Sequence, residues 1–110
     1  MSKVYVIDID GTICTNGDCS SCKYEGSTPI KERIEKINQL YDEGNTIKYF
    51  TARGMGRYND DADKSDEKFY SLTKMQLEIW GCKYHQLIMG KPSADYYIDD
   101  KAINDNDFFN

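Results

Sequence analysis

Two aspartates separated by a single isoleucine, Asp8 and Asp10, close the apolar run VYVIDID and are followed at once by Gly11 and Thr12. Side chains at i and i+2 of an extended segment point the same way, so both carboxylates are expected to reach one space. Gly11 allows a sharp turn and a close backbone approach behind them. Thr51, Lys91 and a second acidic pair, Asp99 and Asp100, follow in that order. Four carboxylates in one cleft repel one another and are expensive to bury unpaired. A hard divalent cation relieves this, and Mg2+ takes oxygen ligands that it shares with waters and a substrate phosphate. Thr51 adds a hydroxyl donor and Lys91 a compensating positive charge. A metal, a carboxylate nucleophile, a neighbouring acid and a cation in one anion-binding cleft are the equipment of phosphoryl transfer.

For these residues to meet, the elements carrying them must end at one edge. The run KVYVIDI is rich in β-branched residues, the pattern of a strand covered on both faces in a parallel sheet. Residues 12–27 are polar, hold three of the four cysteines and read as a loop or small flap. A helix follows, with Thr28 as its cap, Pro29 in its first position and Ile30, Ile34, Ile37 and Leu40/Tyr41 as its apolar stripe. Gly44 ends it. Thr46–Phe50 reads as the second strand, and residues 54–66 as an exposed acidic loop. A second helix is expected from about Asp66 to Trp80, with Phe69, Leu72, Met75/Gln76 and Ile79 inward and Gly81 closing it. QLIM gives a third strand and DYYI a fourth.

This order implies one domain spanning 1–110: an α/β fold with a three-layer, Rossmann-like parallel sheet, right-handed crossovers and helices on both faces. Ligands in such sheets bind outside the carboxyl ends of the strands. The four strands end at Asp8-Ile9-Asp10, at Thr51-Ala52-Arg53, before Gly90-Lys91-Pro92 and at Asp99-Asp100, so each delivers a polar or charged group to the same edge. The net charge of −5 argues against broad attraction to nucleic acid or anionic membrane. A local cation still suits an anionic substrate. The N-terminus has no signal-like apolar core and no stretch is long enough to span a bilayer, so a cytoplasmic location with reduced cysteines is expected.

With these residues in view, DIDGT, FTAR, GKP and YIDD resemble the four ordered motifs of the haloacid dehalogenase-like (HAD) phosphohydrolases, over a span from Val4 to about Ala102. The stretches PIKERIEKINQLYDEGNTIKYFTARG and LTKMQLEIWGCKYHQLIMGKPSADYYIDDKAI are similar to the small capsule-biosynthesis phosphatase subgroup. The resemblance implies a HAD core and Mg2+-dependent hydrolysis of a phosphomonoester through an aspartyl-phosphate. Asp8 is then the nucleophile, and Asp10 protonates the leaving alcohol and later activates water. The metal is held by Asp8, the Asp10 backbone carbonyl and Asp99, with Asp100 a ligand through water or the direct alternative. Thr51 binds phosphoryl oxygens with backbone N–H groups near Gly11 and Ala52, and Lys91 neutralises charge. The substrate implied is a small sugar-phosphate or related metabolite in polysaccharide biosynthesis.

Each group alone has an ordinary structural reading as a turn, a cap or a solvated strand end. Four such accidents, in order and at strand ends, are improbable. Arg53 is weighed evenly between substrate contact and surface charge, with Arg57 and Lys101 more ordinary. Tyr5, Tyr49, Tyr96, Tyr97 and Trp80 read as core. Cys14, Cys19 and Cys22, with Cys82 or His85, have a spacing that could bind zinc, although free thiols fit better.

Two other functions remain open on sequence. A polynucleotide 3′-phosphatase is disfavoured by the acidic charge. A phosphoacceptor signalling module is disfavoured by order, because receivers place the acidic pair first. No interval is long enough for a cap domain, so the cleft is expected to be roofed by the flap, by the 54–66 loop or by association into a homo-oligomer.

Overall fold

The computed structural model describes residues 2–15, 26–55 and 62–110, with side chains of 62–68 excepted. Its elements are β1 (Val4–Ile7), α1 (Lys31–Asp42), β2 (Thr46–Thr51), α2 (Ala62–Ile79), β3 (Gln86–Met89) and α3 (Asp105–Phe109). The strands form a parallel sheet in the order β1-β2-β3, with Val4 opposite Thr46 and Lys48 opposite Gln86. The fold is α/β with helical crossovers between parallel strands, as the sequence implies.

The core explains the layering. Ile47 and Tyr49, alternate residues of β2, share one buried cluster with Ile34 and Ile37 of α1, Leu77 of α2, Leu87 of β3 and Ile9, Ile13 and Cys14. Consecutive right-handed crossovers that step across the sheet in one direction place both helices on the same face. The expected second helical layer is therefore not formed by the described residues. On the other face of β1, Val4 and Val6 stay 61% and 60% exposed, so this strand is not covered on both sides.

Both long helices end in the same device. Gly44 lies at φ +96°, with its N–H donating to the Tyr41 carbonyl and the Asn45 N–H donating to the Leu40 carbonyl. Gly81 lies at φ +73°, with the corresponding bonds to Glu78 and from Cys82 to Leu77. This is the Schellman arrangement, in which a left-handed residue lets the last turn satisfy its own carbonyls.

Several sequence expectations need correction. The N-cap of α1 is Ile30, without a side-chain cap. Thr28 instead exchanges bonds with Thr15, and Pro29 bridges to Cys14, so neither is free to start the helix. In α2 the inward residues are Phe69, Thr73, Gln76 and Leu77, while Met75 and Ile79 are exposed. The helix begins at Ala62, inside the span read as a loop, and Met55 is buried. Asp95–Ile98 forms no strand, and Tyr96 and Tyr97 are exposed rather than core. The connection, residues 90–95, is shorter than the dozen or so residues of a usual parallel crossover.

Among the described residues no helix is long and apolar enough to cross a membrane.

Candidate functional site

The site grows from the turn that ends β1. The carbonyl of Ile9, itself fully buried, accepts hydrogen bonds from the Thr12 and Ile13 N–H groups. Gly11, at φ +79°, donates its N–H to the Cys14 carbonyl. Anchoring Ile9 in the core fixes the residues on either side, and both carboxylates remain partly open to solvent.

Each carboxylate meets a cation from a different strand end. Asp8 has Lys91 Nζ at 3.8 Å, from the segment after β3. Burial pushes the Asp8 carboxyl above its ordinary value, with Lys91, the Ile9 backbone N–H and the Thr12 hydroxyl opposing the shift. Desolvation thus outweighs the compensation available to Asp8. Asp10 is gripped by Arg53: Nε lies 2.9 Å from Oδ2, and Nη2 lies 3.0 Å from Oδ1. The fork-on-carboxylate geometry fixes the plane of the Asp10 carboxyl as well as its position.

Arg53 is held in turn. Its side chain is fully buried, and Nη1 donates to Thr73 Oγ1 at 3.2 Å and to Gln76 Oε1 at 2.5 Å. The two acceptors are the polar residues on the inward face of α2. Thr51 is also buried; its Oγ1 accepts the Arg53 N–H, and its carbonyl accepts the Lys91 N–H. These contacts tie the carboxyl ends of β2 and β3 together beneath Asp8 and Asp10. Ala52 turns the chain away, its carbonyl accepting the Met55 N–H.

The structure therefore brings together Asp8, Asp10, Gly11, Thr51, Ala52, Arg53 and Lys91. Asp99 and Asp100 are both exposed and lie outside any strand, and Asp99 Oδ1 accepts the Lys101 N–H at 2.9 Å. That bond holds the Asp99 carboxyl below its ordinary value. Among the described residues no group of three metal-binding side chains forms. Arg57 lies outside the described residues, as do Cys19 and Cys22, so the zinc reading stands where it was. Cys14 Sγ lies 3.6 Å from Asp10 Oδ1, and burial pushes its thiol up to about 12. His85 Nδ1 accepts the Ile47 N–H, and its ring stacks on Tyr41.

The sequence reading gives no role at the site to Thr12 and Thr73, and places Gln76 inward without one. The last two were legible in principle, since polar residues on the helical stripe of Phe69, Leu77 and Trp80 signal a buried charge to be satisfied. A separate groove of about 530 Å3 between α1 and α3 is lined by Arg33 and Lys36. Those cations are already engaged by Asp105 and the Phe108 carbonyl, so this groove does not compete as a site.

No family model matches the chain, and no curated protein matches it. Among solved structures it resembles a crystal structure of a protein from Vibrio cholerae, at 26% identity and a TM-score of 0.87, over 99% of this chain and 88% of that one.

Proposed function

We propose that this protein is a HAD-like, Mg2+-dependent phosphomonoesterase acting through an aspartyl-phosphate on a small sugar-phosphate or related metabolite. The observation that carries the reading is the pairing at the β1 turn. One carboxylate is under-compensated and partly open, and its neighbour is locked in orientation by a buried guanidinium. A nucleophile must be accessible and poorly solvated, whereas an acid–base group must be aimed.

The donor set fits Mg2+, because the Asp8 carboxylate and the Asp10 carbonyl are hard oxygen ligands and Asp8 lacks full charge compensation. Asp8 and the Asp10 carbonyl would hold the ion, with Asp99 or Asp100 completing the set. Bound there, it would supply charge neutralisation for phosphoryl oxygens. The chain's own residues do the rest. Asp8 attacks phosphorus as Lys91 offsets the charge of nucleophile and phosphoryl group. Thr51, whose Oγ1 already accepts from Arg53, has its hydroxyl hydrogen to donate. Asp10 passes a proton to the leaving alcohol and takes one from the attacking water, its plane set by Arg53.

The test uses two variants. Asp8→Asn should abolish turnover with an unchanged circular dichroism spectrum. Asp10→Asn on p-nitrophenyl phosphate, whose leaving group needs little protonation, should give a burst of p-nitrophenol and a trapped phosphoenzyme. Substantial Mg2+-dependent turnover by Asp8→Asn would overturn the assignment. Equal defects on good and poor leaving groups, without accumulation, would leave Asp10 a structural residue.

A further inference from the structure

Arg33, on the first turn of α1, joins two distant segments of the chain. Its Nη1 donates to the Thr12 carbonyl at 3.0 Å and to Asp105 Oδ2 at 2.6 Å. Its Nη2 donates to Asn106 Oδ1 at 3.1 Å, and the guanidinium lies over the Phe109 ring, 4.7 Å from its centroid. Thr12 belongs to the turn that carries Asp8 and Asp10. The other three partners belong to α3.

Stability alone is a weak account of this arrangement. The Arg33 and Asp105 side chains stay 19% and 29% exposed, and ion pairs open to water add little to folding. α3 also has holds of its own: Lys36 Nζ donates to the Phe108 carbonyl at 2.5 Å, and Phe109 packs against the core cluster. What the contacts around Arg33 supply beyond energy is orientation. A guanidinium is rigid and planar, so the acceptors on α3 that set its plane also set the direction of the Nη1 hydrogen aimed at Thr12.

That direction matters because of what Thr12 touches. The peptide unit between Thr12 and Ile13 is held at both ends, its carbonyl by Arg33 and its N–H by the Ile9 carbonyl at 2.9 Å. Ile9 and Ile13 are fully buried and fixed by the core, whereas Thr12, at the head of the turn, is half-buried. With its peptide plane fixed, the Thr12 hydroxyl is aimed at the Asp8 carboxylate, to which it donates. We infer that Arg33 is a positioning residue for Asp8: α3 sets the plane of its guanidinium, and the guanidinium sets the turn through Thr12. The step from position to rate rests on the phosphatase reading; the coupling of α3 to the turn does not.

Hydrogen exchange of the backbone amides tests the coupling without a substrate. Arg33→Met keeps the aliphatic stem and loses every donor. Exchange at Gly11, Thr12 and Ile13 should rise about tenfold or more, while the β2 and β3 amides stay as in the wild type. Asp105→Ala with Asn106→Ala leaves Arg33 in place but releases its plane, and should move the same three amides the same way by a smaller factor. This second variant carries the test if Arg33→Met does not fold. Unchanged exchange at the turn in either folded variant, or a rise spread evenly over the sheet, overturns the coupling. The step to rate is read as kcat and KM per folded molecule, with Mg2+ and p-nitrophenyl phosphate. Arg33→Met should lower kcat about tenfold or more and change KM by less than about twofold, because it displaces the nucleophile and not a substrate contact. Arg33→Lys keeps the charge without the fork and should recover only part of the loss. A wild-type kcat in Arg33→Met, or full recovery by lysine, overturns the positioning role. A wild-type chain that hydrolyses no phosphomonoester counts against the phosphatase reading alone, because exchange decides the coupling without it.

Discussion

Asp10 and Asp8 show how two like residues, a single position apart, acquire different work from their surroundings. Asp8 faces a flexible ammonium at 3.8 Å and keeps a desolvation cost that a bound cation would relieve. Asp10 faces a planar fork whose Nη1 donors are spent on Thr73 and Gln76. Cys14, buried against the same carboxylate, stays a neutral thiol that adds no negative charge to the cleft. Lysine cannot reproduce the fork, so Arg53→Lys should leave Asp10, Thr73 and Gln76 with unmet acceptors. Breaking such a buried network should cost about 3 kcal/mol, read as a lower urea midpoint. Activity should fall with kcat rather than KM, since Arg53 touches no substrate and acts through Asp10. A variant with wild-type stability and an intact kcat would show that the clamp is incidental.

At the scale of elements, the helix ends were read from single residues, and they hold. Gly44 and Gly81 both adopt a left-handed backbone, and a Cβ at either would meet no atom within 4 Å. Gly81→Ala should therefore destabilise through backbone strain alone, by about 1 kcal/mol, with the urea m-value unchanged. Gly44→Ala should add independently, because the two caps share no partner. A loss of several kcal/mol from either would mean a packing role the structure does not show. Other boundaries were hidden for a physical reason. Thr28 is a good capping residue, yet its backbone is committed to Thr15, 13 residues earlier, a pairing that a local pattern does not carry. The apolar pattern of α2 puts Phe69, Leu72, Met75/Gln76 and Ile79 inward; the structure keeps Phe69 and Gln76 there, turns Met75 and Ile79 out and brings Thr73 in, where it and Gln76 accept from Arg53. The convergence of Asp8, Asp10, Thr51 and Lys91 was legible because strand ends in a parallel sheet leave few alternatives. The placement of Asp99 and Asp100 was not, because DYYI has the composition of a strand and the structure forms none there.

The whole molecule carries a net charge of −5, and among the described residues four of its cations are paired: Arg53 to Asp10, Arg33 to Asp105, Lys83 to Asp42 and Lys91 to Asp8. The long-range field is therefore repulsive to anions, while the short-range field beside Lys91 is not. A compact phosphomonoester feels chiefly the second, and a polyanion such as a 3′-phosphorylated oligonucleotide feels both along its length. Salt screens the first more than the second, since exposed charges separated by more than about 8 Å are largely hidden at physiological ionic strength. Raising salt from about 20 to about 200 mM should thus raise kcat/KM for the oligonucleotide several-fold, if it is turned over at all, and change the value for a small sugar-phosphate by less than about twofold. Nucleic-acid enzymes behave in the opposite sense, losing affinity steeply as salt displaces their phosphate contacts. Measuring initial rates on both substrates across that range separates the two. An oligonucleotide rate that is high at low salt and collapses with added salt would reveal a basic track that the charge distribution gives no reason to expect, and would move the substrate class to polynucleotide ends.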